Sequence, residues 1–363
     1  MANKSARQAL FIITAISVFI VVLGLAFRAP LLSFIFGKVD ADVMENSMVY
    51  FFYTVLSYPF IALYDAGASI FRAQENTRGP MVISIISNVM NIVGNGILIW
   101  VFHMGVAGAA ISTLVSRIFC AVVVLYQLRK NRQPIVVRDY LKIRPDGKMI
   151  GRILALGIPS GIENSMFQLG KLAIQSTVST LGTTAIAAQA MTNMLEMLNG
   201  TAVIGVGIGL MTVVGQSLGA GRKDEAVYYM KKLMIFSEVF LIACCAVVYV
   251  LARPITMIGG MEAKSAEMCL DMMFWITIVK PIVWMFAFIP AYGMRAAGDV
   301  KFSMITSCIT MWTFRFCLCV YLIRVCGMGP MAVWIGMFTD WTVRAIVFGL
   351  RFKSGKWMEH KVV

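Results

Sequence analysis

Glu163 is an acid placed about one turn into an apolar stretch, directly after Gly157-Ile158-Pro159-Ser160-Gly161, where proline and glycine loosen a helix start. A charge inside an apolar span costs about 2.5–3.5 kcal/mol on insertion scales, so such residues face a protein interior or a watery path. Desolvation in general favours the neutral form of a carboxylic acid, which equips an acid so placed to trade a proton or a cation for another ligand. Phe167 and Lys171 follow at helical spacing and share its face, with Gln168 and Gln175 close by. Lys171 is expected to pair with a partner on another helix, snorkelling being harder from mid-span, and it counts among the candidate substrate or coupling residues. In the next apolar run Gln189 and Glu196 stand two turns apart and are expected to edge one interior surface, and Asn199-Gly200 suggests a local opening in that helix. Lys280-Pro281 places a base at an expected kink, facing a cavity.

Earlier in the chain, Asn88, Asn91 and Asn95 recur at helical spacing, and Thr113 with Ala109 lies one short turn away on the following run. Amide and hydroxyl oxygens can help ligate a hard cation such as Na+, but three amides bring no compensating negative charge. Polar glue between helices is the alternative reading. Arg117 and Arg315 are further embedded bases, and Asp340 with Arg344 forms an i,i+4 pair that reads as an internal salt bridge. No phosphate-binding G-x-x-x-x-G-K-[ST] loop occurs, and neither paired carboxylates, a nucleophile with its base, nor metal-ligand spacing emerges, so catalysis and direct use of ATP are disfavoured. No cofactor is expected, and no metal beyond Na+ as a coupling ion.

The elements that must hold these residues are membrane helices. Of 363 residues 59% are hydrophobic and 14% charged, with mean hydropathy +0.80, against about 45–50% and about 25% for soluble domains. Spans are predicted near 9–29, 47–70, 81–102, 107–128, 153–177, 184–213, 232–251, 269–291, 303–325 and 330–350. Most of the 32 basic residues fall on one alternating set of connections: Lys4 and Arg7, Arg72 and Arg78, the cluster from Arg129 to Arg152, Arg222 to Lys232, Arg295 and Lys301, and the tail from Arg351. The opposite set holds Arg28, Lys38, Arg253, Lys264 and Arg324. Positive-inside bias then puts both termini in the cytoplasm. The +14 net charge is explained by this punctuation rather than by nucleic-acid binding. The eight cysteines read as small buried hydrophobes, and no cleavable signal peptide is apparent.

Two segments repeat at a nearly constant offset. Phe71-Arg72-Ala73-Gln74-Glu75-Asn76-Thr77-Arg78 aligns with Met294-Arg295-Ala296-Ala297-Gly298-Asp299-Val300-Lys301, and Gly37, Phe51 and Met81 fall on Gly260, Phe274 and Met304. The repeat pairs the first span with the seventh, so the chain reads as four helices followed by six, and counterparts of two helices would lie before Met1. The expected architecture is an all-α, polytopic membrane protein of about ten helices in two lobes. It comprises a four-helix lobe over 1–130, a cytoplasmic linker over 131–150 with Pro134, Pro145 and Gly147, a six-helix lobe over 151–352 and a tail over 353–363.

The segment from Gly182-Thr183-Thr184-Ala185-Ile186-Ala187-Ala188-Gln189-Ala190 to Val214-Gly215-Gln216-Ser217-Leu218-Gly219-Ala220-Gly221-Arg222 resembles the eighth helix and following loop of bacterial multidrug and toxic compound extrusion transporters. Phe71 to Met81 and Arg295 to Asp299 are similar to that family's loops after helices four and ten. The resemblance covers nearly the whole chain and implies a cation-coupled antiporter of the plasma membrane that exports bulky, often cationic organic compounds against Na+ or H+. It implies a family plan of twelve helices, with the first two absent here and supplied by another polypeptide or lost. In the first lobe Asn91, Asn95, Ala109 and Thr113 match the surroundings of a cation site, with Asn95 where many relatives carry aspartate. In the second, Glu163 resembles the acid of helix seven, with Gln189 and Lys280 shaping its cavity. A single copy suffices in that family, so a monomer in contact with lipid is expected. A flippase for a lipid-linked precursor, favoured by embedded bases, and a nonfunctional fragment are the alternative readings.

Overall fold

The computed structural model describes residues 2–36, 41–130, 135–137 and 145–359. Gly37, Lys38, Arg132, Pro134, Arg138, Lys142, Arg144 and Lys361, which enter the charge map, the repeat or the linker, lie outside the described residues. All regular structure among the described residues is helical: α1 (Ala2–Ala26), α2 (Arg28–Phe36), α3 (Ala41–Ala73), α4 (Arg78–Gly96), α5 (Gly105–Leu128), α6 (Gly147–Val178), α7 (Thr183–Gly219), α8 (Lys223–Ile258), α9 (Ala263–Ala296), α10 (Val300–Thr310), α11 (Leu318–Arg324) and α12 (Met331–Lys353). α4 runs on into a π turn, Ile97–Val101, and a second π turn, Met311–Cys317, joins α10 to α11 as one rod.

Nine stretches among the described residues are long and apolar enough to cross a membrane. Each predicted span falls inside a helix or rod to within a residue, except the first, 9–29, which runs past the end of α1 at Ala26 into the short α2. The span predicted over 153–177 becomes α6, whose 32 residues rise roughly 48 Å, but Glu163, Asn164, Gln168, Lys171 and Gln175 keep it outside the nine. The helices overrun their apolar runs because about 20 residues cross the hydrocarbon core, whereas α7 alone has 37. Large apolar side chains such as Ile92, Trp100, Val250 and Ile258 are exposed along the rods, the surface expected to meet lipid tails. The protein is therefore a multi-pass membrane protein.

The chain divides into two compact units, Met1–Leu154 and Ala155–Val363. In the first, α3 packs on α5 and α1, and α4 on α5, around a core that includes Phe71, Ile83, Val124 and Leu128. The start of α6 belongs to this unit. There Asp146 accepts hydrogen bonds from the Lys148 and Met149 N–H groups at 3.1 and 3.2 Å, capping the helix, and it pairs with Lys4 of α1. The hydrogen bond from the Lys4 ammonium, followed by the bond from the Met149 N–H, holds the Asp146 carboxyl below the usual carboxylate range.

In the second unit α7 packs on α8 and α9, and α9 on α12. Its core includes Trp334, Trp341, Phe348, Leu210 and Met272. α7 and α9 run without a break through Asn199-Gly200 and Lys280-Pro281. The opening predicted at Asn199 is absent: Asn199 is buried inside a continuous helix. Four cysteines are buried as expected, but Cys317 and Cys326 are exposed.

The repeated segments make the same corner. Asn76 N–H donates to the Phe71 carbonyl at 3.0 Å and Asp299 N–H to the Met294 carbonyl at 2.9 Å, while Glu75 and Gly298 donate to Arg72 and Arg295 at 3.0 and 3.1 Å. Glu75 and Gly298 both take positive φ, 63° and 87°, a conformation that glycine adopts without steric cost.

Candidate functional site

The sequence-derived candidates of the second unit gather around two cavities. The larger, about 500 Å³, is lined by Lys171 and Gln175 of α6, Gln189, Asn193 and Glu196 of α7, and Arg315 of the second π turn. Met197, Val333 and Met337 supply its apolar wall. The volume lies in the ~300–1,000 Å³ range of small-molecule sites. Gln189 and Glu196 do edge one surface. Gln189, 2% exposed, accepts a hydrogen bond from Trp334 Nε1 at 3.1 Å and donates to Asn193 Oδ1 at 3.3 Å, so its orientation is fixed at both ends.

Lys280 does not face this cavity. It is fully buried behind Glu196, and its Nζ donates to Glu196 Oε1 at 2.5 Å and to the Glu196 carbonyl at 3.1 Å. It lies 5.3 Å from the centre of the Trp284 ring. Burying a lysine is tolerable only with such partners, and here Lys280 ties the carboxylate and backbone of α7 to α9.

Glu163, 7% exposed, lines the smaller cavity of about 190 Å³ together with Asn164, Tyr292, Arg295, Ser307 and Arg344. Arg295 Nη2 donates to Glu163 Oε1 at 2.6 Å. Read from sequence as a loop base, Arg295 instead folds back over Tyr292, 5.6 Å from its ring centre, to meet the acid of α6. Asp340 and Arg344 form the expected i,i+4 pair at 2.7 Å, and Arg344 also donates to the Ser307 hydroxyl at 3.1 Å and carbonyl at 3.0 Å.

Each of the three carboxylates Glu163, Glu196 and Asp340 thus has its own base. Lys171 and Arg315 are left over, and among the described residues neither forms an ion pair. Both lie against Phe167, with Lys171 Nζ 5.3 Å and Arg315 Cζ 5.1 Å from the ring centre; Arg344 Cζ approaches the same ring at 5.5 Å. Such a contact gains about 0.5–2 kcal/mol, less than the several kcal/mol of desolvating the buried Arg315 guanidinium.

Sequence reasoning passed over Glu238 of α8, whose Oε2 is buried and bonds to nothing among the described residues. Its signal was present, an acid within Ile235-Phe236-Ser237-Glu238-Val239-Phe240.

In the first unit, Asn91 Nδ2 donates to Thr113 Oγ1 at 3.2 Å and Asn91 Oδ1 accepts from Asn95 Nδ2 at 3.3 Å, while Thr113 Oγ1 donates to the Ala109 carbonyl at 2.9 Å. The structure brings these together and leaves Asn88 exposed. Asn95 Oδ1 is a buried acceptor with no donor among the described residues. The cluster contains no carboxylate, so it offers a cation oxygens without charge.

A curated relative, the probable multidrug resistance protein NorM of Thermotoga maritima, is 25% identical over 343 residues, covering 91% of this chain and 71% of its own. Among solved structures, a MOP superfamily transporter from Pyrococcus furiosus superposes with TM-score 0.88 at 18% identity, covering 99% of this chain and 80% of its own; reverse polarity of its binding pocket is said to suggest a different function. An outward-facing multidrug resistance MATE transporter of the MOP superfamily gives TM-score 0.86 at 19% identity, covering 98% and 79%. At such identities the likeness is one of fold, a transporter fold rather than that of an enzyme. The family model MatE matches residues 1–97 and 159–321, well over half of the chain, so the chain belongs to the MatE family of multidrug and toxic compound extrusion transporters.

Proposed function

We propose that the chain is a cation-coupled antiporter in which inward movement of Na+ or H+ drives organic compounds out of the cell. The names of its relatives support a broad organic cargo, and the 500 Å³ cavity has room for a drug-sized molecule. The observation that carries the coupling is the Glu163–Arg295 pair, 2.6 Å apart at a cavity wall. Protonation removes the charge of a carboxylate, and Na+ competes with a guanidinium for its oxygens. When H+ or Na+ takes Glu163, Arg295 loses its counterion and the link between α6 and α9 opens. The two arrangements then differ in affinity for cargo, and that difference is what coupling requires. Gln189 and Glu196, held by Trp334 and Lys280, keep the cargo wall rigid while α6 moves. The proposed site in the first unit, at Asn91, Asn95 and Thr113, is secondary because it lacks an acid.

The test is a proteoliposome exchange assay. Glu163→Gln keeps the hydrogen-bonding shape but cannot carry the exchangeable charge. Gradient-driven export should fall about tenfold or more while the amount of inserted protein stays within about twofold, and dependence on the driving ion should vanish. Wild-type sodium and pH dependence in Glu163→Gln would reject Glu163 as the coupling group. The flippase reading draws on Lys171 and Arg315, two cavity-lining bases that form no ion pair among the described residues.

A further inference from the structure

Lys171 and Arg315 have no assigned task in coupling, yet both line the larger cavity. Arg315 is 6% exposed, and its Nε is buried with no hydrogen-bond partner among the described residues. Asp340 acts on Arg315 through its charge, but its Oδ1 is held by Arg344 Nε and its Oδ2 forms no hydrogen bond to Arg315 or to any other described residue. Glu196, the one acid on the cavity wall, is neutralised from behind by Lys280. The cavity therefore keeps two bases that form no ion pair among the described residues, against one wall acid that already has its own base.

The backbone is shaped to hold this arrangement. Arg315 sits within the π turn Met311–Cys317, a geometry often found where a helix must re-aim a side chain. Gly336 of α12 admits that turn: a Cβ there would stand 2.8 Å from the Arg315 carbonyl oxygen. A buried guanidinium with an unused donor, presented on a distorted helix beside a lysine, is costly unless a ligand completes it.

We propose that this cavity binds the anionic group of an organic molecule, a carboxylate, sulfonate or phosphate, between Lys171 and Arg315. The planar guanidinium supplies directional donors to the oxygens and the ammonium a second charge. Gln168 and Gln175 add neutral donors at the rim, and Met197 and Met337 form an adaptable wall for the apolar body of the ligand. This names the cargo class of the antiporter proposed above and rests on that reading for transport, though not for binding.

The test measures equilibrium binding to the purified full chain in lipid nanodiscs, read by tryptophan fluorescence, because Trp334 bonds directly to the cavity residue Gln189. The probes are naphthalene-2-sulfonate, its neutral sulfonamide and 2-naphthylmethylammonium. The sulfonate should bind about tenfold or more tightly than either of the others. Lys171→Gln, at an exposed position, should weaken sulfonate binding about tenfold, Lys171→Glu should reverse the preference toward the ammonium probe, and Lys301→Gln, a base in the first turn of α10 and away from the cavity lining, should change nothing. Arg315→Lys, retaining charge but not the planar donors, should weaken the sulfonate without favouring the ammonium. The proposal is overturned if the ammonium binds wild type as well as the sulfonate does, or if sulfonate affinity is unchanged in Lys171→Gln. Displacement of the sulfonate by dihexanoyl phosphatidate, dependent on Lys171, would identify the anion as a lipid headgroup; failure to displace would identify a free organic anion. If no probe moves under a Na+ or pH gradient while Lys171-dependent binding persists, antiport fails and the anion site stands. If the ammonium probe is exported under a gradient and sulfonate binding does not depend on Lys171, the anion site fails and antiport stands.

Discussion

At the scale of single residues, the membrane interior of the second unit is governed by who neutralises whom. Asp340 and Arg344 are almost wholly buried, at 0% and 2% exposure. Removing one partner from such a pair costs about 3–5 kcal/mol, whereas replacing both with apolar groups is often neutral. Asp340→Asn and Arg344→Met should each lower the midpoint of thermal unfolding in detergent, with Arg344→Met the worse because Ser307 also loses its donors. The double variant Asp340→Leu with Arg344→Met should recover most of the loss; additive damage would show that the pair does not act as a unit. This pair was legible in the sequence because i,i+4 spacing alone makes two side chains neighbours. Glu163 with Arg295 and Glu196 with Lys280 were not legible as pairs. Their members are 132 and 84 residues apart, and nothing local to either says which helix will lie opposite. The sequence marked the charges as costly, and tertiary packing chose their partners.

Among the elements, α6 and the rod from α10 to α11 carry the departures from regularity. Apolar runs and basic punctuation announced nearly all the spans, since lipid forces length and polarity onto a helix. The π turns went unseen, because one added residue within an apolar rod leaves the hydropathy pattern intact. Gly336→Ala should push the Arg315 carbonyl and cost about 1–3 kcal/mol of stability, as overpacking does, with the cavity's Arg315 displaced. Gly349→Ala on the same helix α12 meets nothing within 4 Å and should be neutral or stabilising by up to about 1 kcal/mol from helix propensity. Equal thermal midpoints for the two variants would mean that the α12 contact does not hold the turn. Helix continuity through Lys280-Pro281 has a related lesson. A proline removes one backbone hydrogen bond, yet here the double hold of Lys280 on α7 lies directly beside it, so the helix needs no opening to place its base.

For the molecule as a whole, alternation of basic loops predicts one sidedness. The exposed natural Cys326, at the turn after α11, should react with a membrane-impermeant maleimide in intact cells. A cysteine introduced at Ala220, beside Arg222, should react only in inverted vesicles. Labelling of both from the same side would break the assignment of the termini to the cytoplasm. The duplicated pattern was readable from Phe71 to Arg78 against Met294 to Lys301, though residue identity is sparse there, because what the two stretches share is a backbone path and only some of its side chains. That corner, bent through Glu75 in one half and Gly298 in the other, makes the chain its own graft donor. The later segment can be sewn in place of the earlier with the path of the main chain preserved. Whatever such a chimaera loses is then owed to inherited side chains rather than to shape, a distinction that comparison with a distant cousin, differing everywhere at once, never isolates.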